Sequence, residues 1–270
     1  MVIAVPVVSA TCQDRGLSQG ISCPHWPGIG GPGYSRHMHI LPGLTSTKKE
    51  RIPAFLEDLE REGIQEIALF PTCMDKAERT SLYREMELLS RLRIPHVHVR
   101  SDFDEGELEY LCERFGTEAF NIHPSASTHP FGPISARYAH KFFVENVEQL
   151  PDKTELESLG GLCPDFSHWA NAVAFGRFGY DAAMRRLAGH YPIGCCHLSA
   201  LRPGIPNPWH GEWDHHEYVS LADLDYLMAY SAFMPPAWGS LELENPLSQQ
   251  LQARRHLESL LHPMTADATR

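Results

Sequence analysis

The chemistry in this chain is most concentrated in the stretch IGCCHLSALRPGIPNPWHGEWDHH, residues 193–216. A short apolar run, Ile193-Gly194-Cys195-Cys196, delivers His197 at its end. A loop rich in proline and glycine follows, and then comes Asp214-His215-His216. Imidazole nitrogens and carboxylate oxygens presented together are what zinc, manganese and ferrous iron accept. Residues of the same types punctuate the rest of the chain: His98, His123, Glu145, Asp165 with His168 three positions on, and Glu244. Each alone has a plainer reading. A lone histidine is more often hydrogen-bonded core or surface, and Asp165 before His168 fits a helix cap. Placed at one point in space, they become a metal site.

What could bring them together is a rhythm of strands and helices. Short runs at 36–40, 66–70, 96–100, 119–123, 141–146, 161–165, 193–197 and 238–244 read as strands. Between them, 47–62, 78–92, 105–115, 134–140, 154–159, 180–188, 221–230 and 247–261 read as helices or helical turns. In 47–62 the apolar residues Ile52, Phe55, Leu56 and Leu59 share one face, and Gly63 supplies the stop. Strands alternating with helices imply parallel βαβ units. The pattern predicts a (β/α)8 TIM barrel, with an open doubly wound sheet as the alternative. In a barrel the functional groups sit where the strands end. Those ends carry His98, His123, Glu145, Asp165, His197 and Glu244, with His168, Asp214 and His216 in the loops beyond.

Length and composition agree. The 270 residues, 43% hydrophobic and 21% charged, suit one barrel domain over 34–270. Residues 1–33, dense in glycine and proline, are expected to form an irregular N-terminal arm. The net charge of −11 argues against a broad nucleic-acid or anionic-membrane surface. The seven cysteines are scattered and odd in number, so a reducing, cytoplasmic setting is expected. Cys195 and Cys196 read as strand-packing residues. No basic region precedes the apolar N-terminus, and no run approaches the roughly 20 residues of a membrane span.

The strand-end pattern resembles the xylose-isomerase-like TIM-barrel superfamily over roughly residues 35 to 262. That superfamily includes sugar and sugar-phosphate isomerases and epimerases and the endonuclease IV type of apurinic-site nuclease. The epimerase branch implies one metal ion on Glu145, Asp165, His197 and Glu244, with His168 touching substrate. The nuclease branch implies three zinc ions and adds His123 of Asn121-Ile122-His123-Pro124-Ser125, Asp214, His216 and His98. A looser resemblance, around Gly161-Leu162, Asp165 and Gly179-Tyr180-Asp181, is to multinuclear iron enzymes that oxidise peptide cysteines. The loops 41–43 and 71–73 lack the basic or wedge-forming clusters of the nuclease, so a DNA substrate is not expected.

The ligand count exceeds what one ion needs. The expectation is therefore two or three divalent ions per chain, zinc or manganese first and iron as an option. Such a cluster activates water for hydrolysis of a small phosphoester or related polar substrate. The alternatives are a one-metal sugar isomerase or epimerase, an iron-dependent oxidative enzyme, and a metal-binding scaffold. Glu145, Glu244 and His168 are the expected catalytic groups, and Arg202, Trp169 and Trp213 the expected substrate contacts. Oligomeric state is not legible.

Overall fold

The structure is a computed structural model that describes residues 38–127, 132, 134–207, 212–214, 216–235 and 237–261. The expected arm, residues 1–33, lies outside the described residues. Eight strand positions run parallel. They are β1, in two halves His39–Leu41 and Gly43–Thr45, then β2 Glu66–Phe70, β3 Arg93–His98, β4 Ala119–Ile122, β5 Phe142–Glu145, β6 Gly161–Cys163, β7 Cys195–Leu198 and β8 Trp238–Leu241. The second half of β1 starts a ladder that runs in order to β6, and its first half pairs with β8, which pairs with β7. Parallel bridges Leu162–Ile193 and Asp165–His197 join β6 to β7. The ring is closed, so the fold is a (β/α)8 barrel and the open-sheet alternative falls away. Among the described residues no helix is long and apolar enough to cross a membrane.

The helices pack outside. In α1, Ile52–Glu62, the residues Ile52, Phe55, Leu56 and Leu59 are buried on one face as the spacing predicts, and Gly63 closes the helix at φ 66°. In α2, Lys76–Met86, an Asp75–Glu78 capping box fixes the start. The helices α3 Glu105–Phe115, α4 Lys153–Ser158, α6 Phe178–His190 and α7 Leu247–Leu261 fall near their expected places. One helix the pattern did not announce is α5, Phe166–Ala174, most of whose residues are buried, the polar Ser167, His168 and Asn171 included. The segment Leu221–Phe233 is 3₁₀ rather than α. Its buried Leu224, Leu227 and Tyr230 recur every third residue, the 3₁₀ period.

Alternation along each strand sorts side chains into those facing the helices and those filling the barrel. Leu41, Ala68 and Phe70 pack as one inner group, and Ala119, Phe143, Cys163 and Cys195 as another, with Trp238 against both. The seam lies where β1 passes from β8 to β2, around Pro42, which has no N–H to donate. Gln250 of α7 spans it. Its side-chain oxygen accepts from the Gly43 N–H at 2.8 Å, and its amide nitrogen donates to the carbonyls of Gly43, Leu243 and Asn245 at 2.9–3.0 Å. A Gln250→Leu variant keeps the volume and abandons these buried partners. It is expected to lower the unfolding free energy by at least about 1–3 kcal/mol, measured by urea denaturation; an unchanged midpoint would remove Gln250 from the closure of the barrel.

Candidate metal centre

His197 is the hub. It leaves β7 fully buried, and its Nδ1 faces carboxylates from three other strands. Glu145 Oε1 stands at 3.4 Å, Asp165 Oδ2 at 3.5 Å and Glu242 Oε2 at 3.2 Å. Glu145 ends β5, Asp165 follows β6, and Glu242 follows β8, where its N–H donates to the Leu198 carbonyl. Two overlapping sets place one ligand atom per residue within 4.8 Å of the others: Asp165, His197 and Glu242, and Glu145, Asp165 and His168. A third set is His98, Glu145 and His197.

The charges are held deliberately. Burial would raise Glu145, but His197, His98 and His123 outweigh it and keep the carboxyl below its usual range. Glu242 is lowered too, with His197 and then His216 overcoming burial. His197 is pushed the other way: burial would lower it, and Glu145 and Glu242 together raise it well above the usual imidazole range. His98 follows burial and is pushed down to about 3, a neutral ring. Three carboxylates around one imidazole, Glu145 and Asp165 buried and Glu242 partly exposed, make an environment that favours a cation. A divalent ion suits the donor set, since oxygen and imidazole nitrogen both bind zinc and manganese.

The neighbours fix these groups in place. Asp165 has two duties. Its Oδ1 caps α5 by accepting from the backbone N–H groups of Ser167 at 2.7 Å and His168 at 3.1 Å, while Oδ2 faces His197. Asn146 holds the Asp165 backbone at both its N–H and its carbonyl. Asn121 donates to Glu145 Oε2 at 2.6 Å. Phe70 packs its ring near edge-on against His96, His98 and His197, with centroids 6.2, 6.2 and 5.1 Å away. A recess of about 160 Å³ lined by Thr72, His98, Arg100 and His123 opens beside the cluster.

The expected residues separate into groups. His98, Glu145, Asp165, His168 and His197 converge. His123 stands at the rim, partly exposed, with Nε2 4.0 Å from Glu145 Oε2. His216 sits on the loop that accepts the Glu244 N–H, in none of the ligand sets found among the described residues. The backbone of Asp214 pairs with Arg202 in a hairpin, Arg202–Pro206 against Trp213–Asp214; the Asp214 side chain lies outside what the structure describes. Glu244 is a correction. Its carboxylate pairs with Lys48 at 2.8 Å, because β8 ends at Leu241 and the chain has turned by then; Glu242 takes the inward place. Trp169 is a second correction. It is fully buried, packed among Phe166, Tyr230 and Phe233, with its indole N–H on Asp181 at 2.7 Å, out of reach of a substrate. Trp213 packs on Phe175 with centroids 5.4 Å apart, and Arg202 donates to the Glu217 carbonyl at 3.4 Å.

Besides Glu242, one further residue of the site escaped the sequence. Glu212, buried at the turn end of the hairpin, accepts from His168 Nδ1 at 3.2 Å and from Arg177. Burial would lower His168, but Asp165, Glu212 and Glu145 raise it to about 9. The only signal was an acidic residue two positions before Asp214, in a loop with no readable geometry.

No protein-family model matches the chain, and none of the curated proteins does. Among solved structures it is similar to the crystal structure of the probable 3-DHS dehydratase AsbF, involved in petrobactin synthesis, from Bacillus anthracis. The identity is 12%, the TM-score 0.40, and the alignment covers 83% of this chain and 98% of that one.

Two outcomes are expected. Glu242→Gln weakens manganese binding, measured by calorimetry, by more than the roughly 10–100-fold that losing an outer partner of a ligand costs. Glu244→Gln, which only frees Lys48, leaves it nearly unchanged; the reverse order would reject the assignment. In metal-free protein the His168 ring, followed by NMR, titrates near pH 9. A raised value means its stabilisation is complete below the ordinary histidine range and is lost as pH rises through about 9. Glu212→Gln moves the midpoint to lower pH, and an unmoved midpoint would acquit Glu212.

Proposed function

We propose that the protein is a metal-dependent isomerase or epimerase acting on a small polyhydroxylated substrate, such as a sugar or sugar phosphate. One divalent ion is held by Glu145, Asp165, His197 and Glu242. The observation that carries this reading is the convergence of three carboxylates from separate strands on the single Nδ1 of His197. Three acids about one point make a set for one ion, with a position left for substrate oxygens. When bound, the ion supplies Lewis-acid polarisation of a carbonyl and its neighbouring hydroxyl.

The chain's own groups supply the rest. Glu145 and Glu242, both held ionised, are the bases that take a proton from the carbon beside the carbonyl and return it. His168, kept protonated by Glu212, donates to a developing substrate oxyanion. Arg100, which lines the same recess, donates to the carbonyls of Thr72 and Met74 and pairs with Asp102 at 3.2 Å, would turn its remaining N–H groups to an anionic substituent such as a phosphate. Phe70 and the buried histidines exclude bulk water from the reacting carbon.

A second reading is favoured by the other face of Glu145. Its Oε2 lies between His98 Nε2 at 3.7 Å and His123 Nε2 at 4.0 Å. An additional ion there, bridged by Glu145, would support the phosphoester hydrolysis expected from the ligand count.

The test is incubation of the manganese-loaded protein in heavy water with aldoses, ketoses and their phosphates. Deuterium is expected to appear at the carbon next to the carbonyl, together with the isomer or epimer. Glu145→Gln and Glu242→Gln each slow this by about 100-fold or more. Release of inorganic phosphate with no deuterium uptake would replace the isomerase by the hydrolase, and neither signal on any substrate would sink both.

A further inference from the structure

One layer deeper in the barrel is a second set of donors. Because strand side chains alternate, the residue two positions before each inward ligand also points inward, nearer the barrel's centre. Before His98, Asp165 and His197 these residues are His96, Cys163 and Cys195. All three are fully buried. One ligand atom each of His96, Cys163 and His197 lies within 4.8 Å of the others. The Cys195 thiol interacts with both Cys163 and His96 and packs in the same inner group as Cys163.

Two imidazole nitrogens here have no partner. Ser240 Oγ meets His96 Nδ1 at 2.7 Å, which fixes the ring and leaves Nε2 buried without a hydrogen bond. His197 turns Nδ1 to the carboxylates, and its Nε2 is likewise buried and unpaired. A native barrel rarely leaves such atoms orphaned. Thiols beside imidazoles, with a serine orienting one ring, are the makings of a metal site with its outer support.

We infer that His96, Cys163 and Cys195, with Nε2 of His197, form a second metal site that takes a thiophilic ion of the zinc type. A two-sulfur, two-nitrogen set is what tetrahedral zinc prefers, whereas the oxygen-rich set above it suits manganese equally well. On binding, each cysteine S–H bond and the His197 Nε2–H bond break, sulfur–metal and nitrogen–metal bonds form and the protons leave to solvent; no electrons change hands. His197 then joins the two layers through its two nitrogens. The inference stands on the lower donors and not on the isomerase reading.

Cobalt(II) titrated into metal-free, reduced full-length protein distinguishes the two layers. A strong near-ultraviolet thiolate-to-cobalt band is expected. Cys163→Ser abolishes it while weak visible bands from the oxygen-rich centre remain, and Cys112→Ser, on α3, leaves it intact. Should Cys163→Ser fail to fold, X-ray absorption of the zinc-loaded wild type gives the same answer through a sulfur shell at about 2.3 Å. Cobalt or zinc bound with only nitrogen and oxygen neighbours would overturn the second site and leave the upper centre standing. Loss of the visible bands with the sulfur signal retained would reject the upper centre alone.

Discussion

Everything in this molecule answers to one electrostatic problem: three carboxylates brought out of water to within 3.2–3.5 Å of one imidazole nitrogen. Like charges cannot be gathered in a dry interior unless a positive charge joins them. A proton on His197 answers in the empty cluster, and a divalent ion answers when one is bound. The surrounding arrangement keeps that choice open. Asn121 steadies Glu145 at Oε2 and the start of α5 occupies Asp165 Oδ1, so Glu145 Oε1 and Asp165 Oδ2 are turned to the centre.

The barrel supplies the precision. Every group comes from the end of a strand, or within a few residues of one, and neighbouring strands are locked in register, Ser240 beside His197 and Leu241 beside Leu198. Inward positions are shared between packing and chemistry: Phe70 is a hydrophobic filler that also sets the tilt of three imidazoles.

The alternation of strands and helices was legible because burial on both sheet faces writes itself as short apolar runs, and His98, Glu145, Asp165 and His197 stood where those runs stop. What escaped depended on where a strand ends. Glu242 and Glu244 share the same phase of alternation, so the sequence ranks them equally; only the turn after Leu241 sends one to His197 and the other to Lys48. The third strand, expected over 96–100, runs Arg93–His98, because the ladder shifts register around Pro95 and accommodates it. Trp169 adjoins His168 in sequence, but on α5 it packs away among Phe166, Tyr230 and Phe233. Glu212 had no pattern to belong to, being held by contacts with His168 and Arg177 that are distant in sequence.

The Gln250 clasp on Gly43 joins residues 207 positions apart. During synthesis, strand β1 leaves the ribosome long before β8, the partner it waits for. Until α7 is clear of the exit tunnel, the seam is open and β1 has one edge unpaired. The carboxylate of Glu242, made just before α7, reaches His197 only in that final stage. Glu145, Asp165 and His197 come from neighbouring strand positions, and the third acid joins them only when the ring shuts.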